Sequence, residues 1–270
     1  MQIAKPSVSQ SATLCLCYDV TCAASDIIAT VKLSIVIPAY NEESYLGECL
    51  RHVLDEVAKT TDVGRVEVLV IDNASTDRTS EVAKGFPGVR VAHEPSKGPS
   101  HARQRGLDEA RGAIIGYVDA DTKMPSGWIR TVVQYFDADP GMVCVSGPYV
   151  YYDLSQVSKV LVRAYWRLAF PVSVLTGYMA VGGNFAARRD CLLKIGGFDR
   201  SIAFYGDDTD IARRLSAVGR VRFLMELVMQ TSARRLKAEG MFRSAAVYAL
   251  NYLSEVILNR PATTTYRDIR

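Results

Sequence analysis

Ala113-Ile114-Ile115-Gly116-Tyr117-Val118-Asp119-Ala120-Asp121 runs a short apolar segment straight into two carboxylates separated by one residue. An uninterrupted apolar run bounded by Gly112 and by acids predicts a strand buried on both faces, the kind that parallel sheets contain. The same unit recurs upstream. A helix is expected from Gly98 through Ala110, preceded by a short strand over Val89 to Ala92. Before that, Val66 to Ile71 reads as a buried strand closed by Asp72-Asn73-Ala74-Ser75-Thr76-Asp77, with a helix over Arg78 to Lys84. The first strand spans Leu33 to Ile37 and is expected to end at Pro38, which cannot donate to a ladder. A helix with Leu46, Cys49, Leu50, Val53, Leu54 and Val57 at three- and four-residue spacing follows it. Alternating strands and helices predict an α/β fold with a mostly parallel central sheet flanked by helices.

Open α/β sheets bind ligands outside the carboxyl ends of their strands. Those ends deliver Tyr40, Asn41 and Glu42, then Asp72, then His93 to Lys97, then Asp119 and Asp121 to one crevice. Beyond about Ser126 the pattern loosens into a helix, a strand from Met142 to Val150, another helix, and a loop at Gly182-Gly183-Asn184. The expected organisation is a leader over 1–30, a domain over 31–232 with halves 31–125 and 126–232, and a basic, then apolar helical extension over 233–270.

The 270 residues are 49% hydrophobic and 23% charged, which excludes collagen-like, low-complexity and disordered classes. A net charge of +3 is too small to signal nucleic acid, and none is expected as a partner. Locally, Arg220, Arg222, Arg234, Arg235, Lys237 and Arg243 face only Glu226 and Glu239, so that end is expected to meet an anion. Six cysteines form no dense framework. Cys15, Cys17 and Cys22 lack a nearby fourth ligand, because His52, His93 and His101 lie far along the chain, so ordinary thiols in a reducing, cytoplasmic compartment are expected. Ser11 to Ala24 is interrupted by Asp19 and does not read as a secretory signal. Leu168 to Ala187 is long enough to cross a bilayer, but Pro171, Gly177, Gly182, Gly183 and Asn184 read it as loops and turns. Ser244 to Leu258 is apolar nearly all round and follows basic residues. Packing onto the domain is the favoured reading, and lying on a membrane surface is the other.

Two clusters could carry chemistry. Asp119 and Asp121 can face a hard divalent cation, or they can cap the helix expected near Ser126. Tyr205-Gly206-Asp207-Asp208-Thr209-Asp210-Ile211 sets three acids at a helix start, with Ile211, Leu215 and Val218 as its buried stripe. Asp207 is a candidate N-cap there, while repulsion among the three can raise one pKa and create a general base. Lys97, His101, Arg103 and Arg105 sit near a helix start that suits phosphate or a solvated face. Arg103 shares its helix side with Leu107 and Ala110. Turned inward, it wants an anion.

These residues resemble the family 2 glycosyltransferases with the GT-A fold, from Leu33 to about Leu215. The resemblance is carried by Ser34-Ile35-Val36-Ile37-Pro38-Ala39-Tyr40-Asn41-Glu42-Glu43, Val70-Ile71-Asp72-Asn73-Ala74-Ser75-Thr76-Asp77 and Lys97-Gly98-Pro99-Ser100-His101-Ala102-Arg103. Tyr117-Val118-Asp119-Ala120-Asp121, Gly182-Gly183-Asn184-Phe185-Ala186-Ala187-Arg188-Arg189, and Gly196-Gly197-Phe198-Asp199 leading to Gly206-Asp207-Asp208-Thr209-Asp210 complete it. It implies an inverting transferase that uses a UDP- or GDP-sugar, a divalent cation (Mn2+ or Mg2+) and a glycan or lipid-linked acceptor. By the family's pattern Pro38, Ala39, Tyr40, Glu42, Asp72, Lys97 and Arg103 line the nucleotide site. Asp119 approaches the ribose or the metal, Asp121 holds the metal, and Asp208 is the base. Gly182, Gly183, Asn184 and Asp207 border the acceptor, with Asp207 shorter than the family's usual Glu. Many relatives add a downstream metal-binding histidine, yet none follows His101 here. Gln230, or the pair Arg234 and Arg235, is expected in that region. The reading implies a cytoplasmic enzyme with peripheral contact to the inner face of the membrane through the C-terminal helix. The competing readings are a non-catalytic nucleotide-sugar-binding or membrane scaffold protein, and a sugar-phosphate nucleotidyltransferase, whose Gly-rich start is replaced here by Pro38-Ala39-Tyr40-Asn41.

Overall fold

In the computed structural model, which describes residues 31–202, 204–258 and 260–263, the apolar runs over 33–37, 68–71 and 114–118 become fully buried strand segments, while Val89 to Ala92 is half-buried. β1 (Val31–Ala39) leads to α1 (Leu46–Lys59), β2 (Arg65–Asp72) to α2 (Thr79–Lys84), and β3 (Val89–His93) to α3 (Pro99–Glu109), which returns to β4 (Ile114–Val118). There follow β5 (Thr122–Lys123), α4 (Trp128–Ala138), β6 (Met142–Ser146), β7 (Tyr149–Tyr151), α5 (Gln156–Thr176), β8 (Asn184–Arg188) and α6 (Arg189–Lys194). α7 (Asp207–Ser216), β9 (Arg220–Phe223), β10 (Met229–Thr231), α8 (Arg234–Glu239) and α9 (Met241–Leu258) complete the described chain. The expected leader and residues 264–270 of the extension lie outside the described residues, as do Cys15, Cys17 and Cys22.

A seven-stranded sheet has the order β3-β2-β1-β4-β8-β6-β9, and a small one has the order β5-β10-β7. β1 to β4 are parallel, while β8 runs antiparallel to β4 and β6. Successive side chains alternate faces, so both layers are apolar. Ile35 and Ile37 meet Leu46, Leu50 and Val53 of α1 and Trp128, Ile129 and Val132 of α4. Val36 and Tyr117 face Leu107 of α3 and Ile211 and Leu215 of α7. The second layer is sealed by Tyr117 stacked on Phe185 at 4.8 Å.

Three expectations are corrected. β1 continues through Pro38, because its pairing with β4 ends at Val36 and at Pro38 only β2 lies alongside. The single strand expected over 142–150 is two strands in different sheets, broken at Gly147-Pro148. A Cβ on Gly147 would lie 2.0 Å from the Leu227 carbonyl oxygen, so the backbones touch where the chain changes sheet. Residues 168–176 are helical: α5 runs through Pro171 and stops at Gly177, whose φ is 79°. No helix among the described residues is long and apolar enough to cross a membrane.

α9 packs its polar side inward. Ser244, Asn251 and Glu255 are buried. Loss of water, followed by repulsion from Asp210 and opposed by Arg213, raises the Glu255 carboxyl from 4.5 to about 7. A raised folded-state pKa means that this contribution to stability is complete below the unfolded value and is lost as pH rises through about 7. Glu255→Gln is therefore expected to raise Tm over wild type at pH 8 and to give no such gain at pH 5, as read by thermal melts at both values.

Candidate active site

The carboxyl ends of β1, β2 and β4 meet the start of α7. Ala39 is buried, and its carbonyl accepts from Asn73 N–H at 2.8 Å, so it forms the floor beside Pro38. The loop after β2 is a fixed scaffold. Asn41 Oδ1 accepts from Thr76 N–H (2.8 Å), and Asn73 Oδ1 accepts from Gly98 N–H (2.8 Å) at the start of α3. Asp72 accepts from Ser75 N–H (3.2 Å), and its other oxygen is 3.5 Å from His93 Nδ1. Lys97 Nζ donates to Tyr40 Oη (2.9 Å) and stands 4.1 Å over that ring, which keeps a cation at the crevice mouth.

Arg103 is turned inward as its helical position suggests, and the anions it meets are the protein's own. Its guanidinium pairs with Asp207 and stands 3.5 Å from Asp119. Burial alone would weaken its charge, but Asp207 and then Asp119 outweigh that and hold it firmly protonated. Asp207 is consequently not the N-cap of α7, a place taken by Gly206 in the left-handed region at φ 93°. The second oxygen of Asp119 accepts from Tyr149 Oη (2.9 Å). Nothing about Tyr149 in the sequence marked it as a site residue; its contact depends on the chain switching sheets just before it.

Asp208 is half-buried, whereas Asp207 and Asp210 are buried. Its Oδ2 accepts from Gly182 N–H (3.0 Å) and its Oδ1 from Thr209 N–H (2.8 Å), so both oxygens are held in place. Loss of water and the neighbouring Asp207 nevertheless push its carboxyl up to about 6, against the opposing pull of Arg103. A carboxylate poised close to neutral pH and open to the crevice can accept a proton in a reaction.

Asp121 caps no helix. Its Oδ2 lies 2.9 Å from Arg234 Nε, and its Oδ1 accepts from Thr231 Oγ1 at 3.3 Å. Arg234 also pairs with Glu42, which is almost wholly buried, and lies 4.8 Å over the Tyr45 ring. One guanidinium thus ties the β1 loop to the end of β4, and Glu42 addresses that guanidinium rather than the open crevice. Of the residues expected in place of a downstream histidine, it is Arg234 that reaches Asp121. Arg235 turns to Glu239 (2.9 Å) and the Phe204 ring (4.3 Å), and Gln230 pairs within the small sheet. Among the described residues, no group of three or more His, Cys, Asp or Glu side chains is placed to hold a metal ion. Asp121, already engaged by Arg234 and Thr231, and Asp119 bring carboxylate oxygens to the end of β4, which suits a hard cation that takes most of its ligands from a substrate's phosphates.

Gly182 and Gly183 lie beside Asp208 and Asp119, whereas Asn184 turns its side chain away from them. Its side chain is fully buried, accepts from Trp128 Nε1 (2.8 Å) and donates to the carbonyls of Leu227 (2.7 Å) and Pro148 (3.3 Å). Gly183 lies directly beneath the acids: a Cβ there would be 2.1 Å from Asp119 Cγ and 2.2 Å from Tyr149 Oη.

Residues 34–196, more than half of the chain, match the family described as Glycosyl transferase family 2. The chain belongs to glycosyl transferase family 2. Within the family it is similar to glycosyltransferase GlyG of Streptococcus pneumoniae, at 34% identity over 131 residues. That alignment covers 46% of this chain and 40% of GlyG, so the chain spans about two fifths of that relative's length. Its fold is that of two solved GT-A structures. A mannosyltransferase from Pyrobaculum calidifontis in complex with GDP-Man and Mn2+ superposes with a TM-score of 0.64 at 20% identity, over 86% of this chain and 64% of that one. Glucosyl-3-phosphoglycerate synthase from Mycobacterium tuberculosis, in complex with Mn2+, UDP and phosphoglyceric acid, gives 0.58 at 22% identity, over 84% and 79%.

Proposed function

We propose that this family 2 protein transfers a glycosyl group from a UDP- or GDP-sugar to a hydroxyl of a glycan or lipid-linked acceptor, in one inverting displacement with Asp208 as general base. The observation that carries this reading is the Asp208 carboxyl, fixed by two backbone N–H groups and raised to about 6 at the edge of the crevice. The solved structures that share the fold hold UDP or GDP-Man beside Mn2+, which supports the donor class.

In the proposed step Asp208 takes the proton of the acceptor hydroxyl while that oxygen bonds to the anomeric carbon. The bond from that carbon to the diphosphate oxygen breaks, and its electron pair leaves with the nucleoside diphosphate. Attack from the face opposite the leaving group inverts the configuration. Tyr40, Asp72 and Lys97, with the backbone of Pro38 and Ala39, surround the nucleotide, while Arg103 and Tyr149 orient Asp119 toward it. Mn2+ or Mg2+ would bind at Asp121, with Asp119 adjacent, and would supply positive charge to the departing diphosphate. Arg234 already places a fixed cation on Asp121, so the need for metal is expected to be partial.

Gly183→Ala is expected to lower kcat/KM for transfer about 100-fold, because moving Asp119 and Tyr149 by about an ångström misplaces the donor. The reading itself is tested by nucleotide release across UDP- and GDP-sugars, with Mn2+, with Mg2+ and with EDTA. Release from one donor, enhanced by metal, is expected. No release and no donor-induced thermal stabilisation under any condition would move the scaffold reading to the front.

A further inference from the structure

Two helices present their apolar residues to solvent. On α5, Val157, Val160, Leu161, Leu168, Val172 and Leu175 recur at three- and four-residue spacing, which places them on one side of the helix, and all are exposed, Leu175 to 88%. The opposite side holds the anchors: Val162 and Ser173 are buried, and Trp166 donates from Nε1 to the Tyr149 carbonyl (2.9 Å). α9 is inverted outright. Its polar Ser244, Asn251 and Glu255 are 1%, 2% and 1% exposed, while Phe242, Leu250, Leu253 and Ile257 are 78%, 54%, 51% and 71% exposed. A helix packed on a watery surface does the reverse.

The helices meet where Tyr252 of α9 donates to the Tyr178 carbonyl (2.8 Å) and its hydroxyl lies 2.7 Å from Thr176 Oγ1 at the end of α5. Charge indicates what covers them. Between Gln156 and Thr176 there is no acid; Lys159 donates to the Tyr152 carbonyl (3.2 Å) on the anchored side, while Arg163 and Arg167 are exposed. Arg243 is the exposed charge at the start of α9. A second copy laid on α5 would bring like charges together, whereas a layer of anionic headgroups neutralises them and accepts the apolar side chains below.

We propose that α5 and α9 together seat this protein on an anionic lipid bilayer. The surface borders the catalytic crevice: Tyr248 of α9 packs edge-on against Tyr205 (5.6 Å), two residues before Asp207, and Tyr149, held by Trp166 of α5, reaches Asp119. The inference deepens the functional reading above, from which it takes a lipid-linked acceptor, since it brings the base to the level at which such an acceptor lies.

The test is co-sedimentation of the full chain with vesicles of phosphatidylcholine alone and of phosphatidylcholine with phosphatidylglycerol. Donor-induced thermal stabilisation is measured on the same samples, so that failure at the membrane and failure of the transferase reading are separable. Binding to the anionic vesicles is expected, at least about tenfold weaker to the neutral ones and weakened by salt. Leu168→Glu with Leu175→Glu, and separately Leu253→Glu with Ile257→Glu, are each expected to reduce it by at least about tenfold with donor stabilisation retained. Arg163→Gln with Arg167→Gln keeps the apolar face and is expected to remove the preference for anionic lipid. The proposal is overturned if the wild type does not sediment with anionic vesicles, or if these variants bind as well as the wild type. It is equally overturned if Leu168→Glu with Leu175→Glu dissociates a dimer seen by sedimentation velocity, or lowers Tm in the absence of lipid, because the face is then covered by protein.

Discussion

Asp208→Asn is expected to bind the donor as the wild type does and to transfer it about a thousandfold more slowly, the scale of a lost general base. The replacement keeps the size of the side chain and leaves an oxygen to accept from Gly182 or Thr209, so the crevice retains its shape. Only the capacity to take a proton goes. In the wild type that capacity appears as the carboxyl ionises, so transfer should rise with pH through about 6 and then level off, and the variant should lose that limb. Stability runs the other way. The folded-state pKa is raised above the unfolded value of 3.8, so the fold gains from protonation, and that gain is lost as pH rises from about 4 to about 6. At pH 8 Asp208→Asn should therefore melt at or above the wild-type temperature. A dead but destabilised variant would instead mean that the substitution had damaged the site.

The largest loss of stability is expected at Arg103. Arg103→Met fills similar space but leaves Asp207 buried beside Asp119 with no counter-charge, a situation that costs about 3–5 kcal/mol. For a chain of this size that lowers Tm by on the order of 10 °C. Burial already raises the Asp207 pKa despite Arg103, so without the guanidinium the carboxyl should take a proton and the loss should be smallest in acid. Adding Asp207→Asn removes the stranded charge and should recover much of the loss, a coupling that a double-mutant cycle of thermal melts measures directly. Additive losses would show that the two side chains do not act as a pair.

Much of this was legible because β1, β2 and β4 are buried on both faces over most of their length, and a strand of that kind writes itself as an apolar run ending in polar residues. The break at Gly147 was not legible, since apolar periodicity is blind to which sheet a strand joins, and the contact responsible is the carbonyl of Leu227, eighty residues away. Pro171 misled for a local reason: it reads as a stop, whereas α5 passes through it. Arg103 showed in the sequence as an inward cation without a partner, because Asp207 arrives from α7, 104 residues further along the chain. The basic stretch over 220–243 was expected to meet an anion, and at Arg234 the anions are Glu42 and Asp121 of the chain itself. Gly182-Gly183-Asn184 looked like one open loop, yet Asn184 is turned inward by Trp128 while its glycine neighbours stay at the crevice. α9 was read as apolar nearly all round, packing onto the domain or lying on a membrane surface, and the structure packs its polar side.

The central claim is a single displacement with Asp208 as base, and the anomeric form of the sugar at the moment of release tests it most directly. With a donor that supports turnover and water as the acceptor, proton NMR of the freshly formed sugar, read before mutarotation, distinguishes the two anomers. An α-linked donor is predicted to yield the β sugar first. The α sugar as first product would contradict the account, because retention requires a second displacement or a front-face path in which Asp208 is not the base proposed here.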